Sequence, residues 1–202
     1  MRNLISRLRA LIKRVQMYIQ ITEMGPIARR YFVKNGFDGS MTMLGIIAGA
    51  WVVNVTQPEI VVTAGLGACL AMGISGISGA YMTERAERKR DLKELESAMI
   101  TKLDDCVISD ATRFVSFYAA LVDGGSPIVT ALISLSPFFL LLHGLIAVQG
   151  AYFASLVVTL ITLFMLGVYL GKVAKENALL YGFQTLIAGV ATVAIALLLG
   201  AV

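Results

Sequence analysis

The sequence predicts an all-α integral membrane protein: five transmembrane helices, an N-terminal amphipathic helix, and a short cytoplasmic helical layer between the second and third spans. Three observations predict it. The 202 residues are 57% hydrophobic and only 15% charged, with a mean hydropathy of +0.79, whereas a soluble domain carries about a quarter charged residues. The apolar surplus is gathered into blocks of about 20 residues, long enough to cross hydrocarbon. When those blocks are drawn as five spans, all 17 Lys and Arg fall in segments on one side. The positive-inside rule makes that side cytoplasmic and puts the N-terminus there. The net charge of +4 therefore reports topology and contact with anionic lipid headgroups; nothing in it points to nucleic acid.

In residues 1–24, Leu4, Ile5, Leu8, Leu11, Ile12, Val15 and Ile19 recur at helical spacing, and Arg2, Arg7, Arg9, Lys13 and Arg14 fill most of the remaining surface. Such a helix lies in the headgroup plane as an anchor or as a lever on the first span, with Gly25 and Pro26 ending it. It lacks the compact apolar core and cleavage site of a secretory signal. Residues 31–82 hold the first two spans. Asp38 falls at the inner hydrocarbon edge of the first, where an ionisable residue is a candidate functional site; alternatively, with Gly39 following, it is a helix N-cap. The second span is rich in small residues. Gly65, Gly73, Gly76 and Gly79 suit close helix contact, either inside the chain or at the seam of a homodimer.

The second span and the charged segment after it form one stretch, residues 65–96, around which the chain is organised. No Gly or Pro occurs between Gly79 and Gly124, so nothing local stops the helix at the membrane surface. In residues 83–125, Glu84, Glu87, Asp91 and Glu94 follow 3–4 spacing on one helix face, and Asp104 and Asp105 add carboxylates. Carboxylates without His or Cys-x-x-Cys suit hard or borderline divalent cations. Interleaved Arg85, Arg88, Lys89, Arg90 and Lys93 allow the other reading, a salt-bridged solvated helix. Leu92, Leu95, Met99 and Leu103 form an apolar stripe that packs on something. Cys69 and Cys106 offer no disulfide framework.

Residues 126–202 hold spans three to five. Ser126-Pro127 reads as a helix start after the turn-like Asp123-Gly124-Gly125, and Pro137 as a kink. Asp123 caps a helix or lines a path. His143 sits at the far interface, and Tyr152, Tyr169 and Tyr181 near span ends as interfacial aromatics. No nucleophile–base pair, phosphate loop or closed metal motif suggests an enzyme or a bound cofactor.

The order of these elements, with Asp38-Gly39-Ser40-Met41-Thr42 at the foot of the first span and the run from Ser75 through Glu87 (SGISGAYMTERAE), resembles the vacuolar iron transporter family, and within it the small archaeal-type members. The resemblance covers nearly the whole chain. It implies a homodimer that moves Fe²⁺ or Mn²⁺ out of the cytosol in exchange for protons, across a prokaryotic cell membrane rather than an organelle's. Carried over by position, the transport path would hold Asp38, Met72, Ser75 and Tyr81. By the same resemblance Asp38 would be the membrane carboxylate and Glu84, Glu87 and Glu94 would belong to the metal-collecting helix; Asp91, Asp104 and Asp105 join the expected metal set as the further carboxylates of the acidic segment. The chain departs from the family at Gly76, where a Met is expected, and at Ala80, where a Glu is expected; Met72, one turn earlier, is the alternative sulfur. The rival reading is a non-transporting dimeric scaffold or lipid-interacting protein whose acidic helix binds a partner.

Overall fold

The computed structural model describes residues 17, 24–100 and 107–200. Among them it is all-helical: α1 (Met24–Val52), α2 (Pro58–Met99), α3 (Val107–Leu142), α4 (Val148–Ala174) and α5 (Ala178–Leu199), with no strand. The amphipathic segment expected at residues 1–24 lies, apart from Met17 and Met24, outside the described residues. Gly25 and Pro26 stand in the first turn of α1, where a proline lacking its N–H is tolerated.

Four helices are long and apolar enough to cross a membrane: α2, α3 over Arg113–Leu142, α4 and α5. The first expected span, α1, is not among them. Arg29, Arg30, Lys34 and Asp38 occupy its first half. At 29 residues α1 is nonetheless about 43 Å long. It is the hub of the bundle, touching all four other helices. Its Met43, Leu44, Ile47 and Ala48 are completely buried, against Val61 and Cys69 of α2, Leu135 and Phe138 of α3, and Tyr152 and Leu163 of α4. α2 packs chiefly on α3, and α4 chiefly on α5.

The 42-residue α2 runs without a break from Pro58 at its N-terminus to Met99, as the absence of breakers predicts. Ile100 ends it in the left-handed region, its N–H donating to the Glu96 carbonyl. At 1.5 Å per residue it is about 63 Å long, twice the hydrocarbon thickness. Short turns join the other helices. Asn177 caps α5 by accepting from the Leu179 and Leu180 N–H groups at 3.1 and 3.4 Å. The charged ends of α1, α2 and α4 lie at one end of the bundle, where Tyr31 meets Glu84 and Arg29 and Arg30 share a groove with Tyr169.

The expected helix start at Ser126-Pro127 is overturned: α3 is continuous, with Pro127 and Pro137 inside it. Tertiary contact explains the composition that read as a turn. A Cβ on Gly124 would meet the Gly73 carbonyl and come within 2.8 Å of the Ile77 nitrogen, and one on Gly39 would stand 2.7 Å from the Pro127 Cα. Close backbone approach, not a turn, selects these small residues. Ser126 caps nothing; its hydroxyl donates across to the Phe32 carbonyl of α1. Pro137 deprives the Ile133 carbonyl of its helical donor, and the Ser136 hydroxyl replaces it at 2.7 Å. Tyr152, near the start of α4, also packs within the bundle. It is buried, stands edge-on to Phe138 at 5.0 Å, and donates to the Val55 carbonyl at 2.8 Å.

The glycines of α3 give a paired prediction. Gly124→Ala should lower stability by about 1–3 kcal/mol, because the opposing atoms are backbone and cannot move aside. Gly125→Ala faces open space and should be neutral or stabilising by up to about 1 kcal/mol. Unfolding in mixed detergent micelles reads both.

Candidate functional site

An open cleft of about 520 Å³ is bounded by α1, α2 and α3. From α1 come Tyr31, Asn35 and Asp38, at helical spacing on one face. From α2 come Met72, Ser75, Gly76, Gly79, Ala80 and Thr83, and from α3 Asp123 and Pro127. Measured from Met72 to Thr83, it follows α2 for about 16 Å, from the apolar bundle toward the charged end.

Two carboxylates face this cleft, and neither is in an ion pair among the described residues. Asp38 is well inside α1 and therefore not an N-cap; its backbone carbonyl accepts from the Thr42 hydroxyl at 2.8 Å. Asp123 is held by the Asn35 side-chain amide, which donates to Oδ1. Its Oδ2 depends on Gly76: a Cβ there would lie 3.0 Å from that oxygen and 2.8 Å from the Gly124 Cα. The glycine that departs from the family pattern is the one that admits Asp123 to the cleft.

At its charged end the cleft is bordered by a buried contact. Glu84 is only 4% exposed. It accepts from the Tyr31 hydroxyl at 2.7 Å and faces the Arg88 guanidinium at 3.6 Å. A buried carboxylate satisfied in this way ties α1 to α2. Glu87, Asp91 and Glu94 are exposed farther along α2, and Arg90 pairs with both Asp91 and Glu94 at 3.5 Å. Leu95 and Met99, from the apolar stripe, are exposed.

The structure thus brings Asp38, Met72 and Ser75 together in one cleft and leaves Tyr81 off its wall, with the Arg85 guanidinium 5.9 Å from its ring centroid. Asp104 and Asp105 lie outside the described residues. Among the described residues no three His, Cys, Asp or Glu converge as a metal-holding group. Of the four glycines singled out, Gly65, Gly73 and Gly76 pack inside the chain, against Leu135, Ile128 and Gly124 respectively, while Gly79 opens onto the cleft. Sequence reasoning did not place Asn35 or Tyr31 in the site. Their only signal is the 31, 35, 38 spacing, which is obscured by the surrounding cations.

The fold and cleft define a multi-pass helical membrane protein with a carboxylate-bearing open cleft among three of its helices. The profile of the VIT family matches residues 91–201. An uncharacterised protein of Methanocaldococcus jannaschii is 31% identical over 174 residues, covering 85% of this chain and 87% of that protein. The chain belongs to the VIT family, and membership suggests a membrane metal transporter rather than an enzyme.

The Tyr31–Glu84 contact makes its own prediction. Tyr31→Phe leaves a buried carboxylate short of a donor and should cost about 1–3 kcal/mol. Arg88→Gln, which removes the cation paired with this buried carboxylate, should cost about 3 kcal/mol. Detergent unfolding midpoints rank the two.

Proposed function

We propose that this chain exports a divalent metal, Fe²⁺ or Mn²⁺, from the cytosol as a homodimeric metal/proton antiporter of a prokaryotic cell membrane. Its N-terminus and the charged end of α2 would lie in the cytoplasm. The observation that carries the reading is the cleft, in which Asp38 and Asp123 come from different helices of a VIT-family bundle with no cation of the described chain paired to either. An ionisable residue inside a membrane bundle marks a pathway far more often than a fold requirement. The donors on offer are carboxylate, hydroxyl and amide oxygens with the single thioether of Met72. That set suits hard to borderline divalent ions. Metal and protons compete for the same carboxylates, which is the simplest coupling of metal exit to proton entry.

Two copies account for the openness of the cleft. One chain brings two carboxylates, too few to replace a hydration shell; the same cleft of a second copy facing it brings four. The segregation of Lys and Arg to one end of the bundle supports the orientation. At the cytoplasmic end, Glu87 is the exposed carboxylate of α2 best placed to attract cations, because Arg90 already neutralises Asp91 and Glu94.

The test is metal flux into proteoliposomes with and without a pH gradient. Wild type should move Fe²⁺ or Mn²⁺ in response to the gradient. Asp38→Asn and Asp123→Asn should each lose about 10- to 100-fold while remaining helical and of unchanged oligomeric size. Glu94→Gln should stay within about threefold of wild type. Absence of flux of any divalent ion from folded protein would reject transport and favour a scaffold.

A further inference from the structure

A second concavity lies away from the cleft, at the same charged end of the bundle. It is a groove of about 360 Å³ between the first turns of α1 and the last turns of α4. One wall carries Arg29, Arg30 and Lys34 of α1, all exposed and none in an ion pair among the described residues. The other wall is Tyr169, Leu170 and Val173 of α4, each more than a third exposed. No carboxylate lines the groove among the described residues.

We propose that this groove is a specific site for an anionic phospholipid, the phosphate seated on Arg29, Arg30 and Lys34 and an acyl chain lying along Tyr169, Leu170 and Val173. One wall offers cations and the other apolar side chains, and only an amphiphile satisfies both. Basic pockets between helices on the cytoplasmic side are suited to anionic headgroups. Inorganic phosphate would leave the apolar wall wet. Residues 1–23 carry five Lys or Arg and only one acid, Glu23, so by charge they are no complement to these cations. A second copy packed here would bring the same three cations. Charge complementarity therefore selects lipid. The proposal stands whether or not the cleft transports metal.

Native mass spectrometry of the full-length protein, released from neutral detergent with equimolar phosphatidylglycerol and phosphatidylcholine, tests it. Wild type should retain phosphatidylglycerol in preference, by about tenfold or more. The triple variant Arg29→Gln/Arg30→Gln/Lys34→Gln should lose that preference. Arg7→Gln/Arg9→Gln/Lys13→Gln, which removes equal charge elsewhere, should keep it. Leu170→Trp fills the apolar wall with every charge intact and should also lose retention, so it carries the test even if the triple variant folds poorly. The proposal fails if both lipids are retained alike, if Leu170→Trp binds as wild type, if only the N-terminal variant loses binding, or if millimolar inorganic phosphate displaces the lipid.

Discussion

The contact on which the bundle depends is backbone against backbone, where Gly73 and Gly76 of α2 meet Gly124 of α3. In lipid there is little hydrophobic gain from pressing two apolar helices together, so association rests on close packing and satisfied polar groups. Side chains at these positions would hold the helices apart. Without the contact, Asp123 would not reach the cleft that Asp38 faces, and α1 would lose the α3 surface against which Gly36 and Gly39 pack. The small residues, which bear no chemistry, thus set the position of the residues that do.

Helix identity and membrane class were legible because they follow from quantities summed over many residues: apolar block length, the missing breakers between Gly79 and Gly124, and the segregation of charge. Family membership was also legible, although the profile match falls on residues 91–201, not on the motifs at Asp38 and Ser75 that first suggested it. What failed were inferences from two or three residues. Ser126-Pro127 reads as a helix start only if the helix before it ends. The Asp123-Gly124-Gly125 that seemed to end it is held helical by contact with Gly73 and Ile77, about fifty residues away in sequence. Asp38 next to Gly39 has the composition of a cap, yet Gly39 is there for Pro127.

The site was half legible for the same reason. Asp38, Met72 and Ser75 could be placed on the correct faces, since helical spacing is a local property. Asp123 could be named only as a cap or a path residue, because its role depends on Asn35 and Gly76, each on a different helix. Glu84 carries the opposite lesson. Its spacing groups it with Glu87, Asp91 and Glu94, but the bundle reaches far enough along α2 to bury it under Tyr31, while the others extend beyond any cover. The sequence gives the face of a helix; where along that helix the neighbours stop is a tertiary fact.

The uninterrupted length of α2 has a mechanical consequence. From the Tyr31–Glu84 contact to Met99 the helix projects about 22 Å, with no glycine and no proline to absorb a bend. A rod of that kind is a lever arm. A tilt of about 10° at that contact would sweep its far end through about 4 Å. Rearrangement too small to alter the packing of the bundle would therefore become a large displacement at the exposed tip, where a second copy or the membrane surface could oppose it or be moved by it.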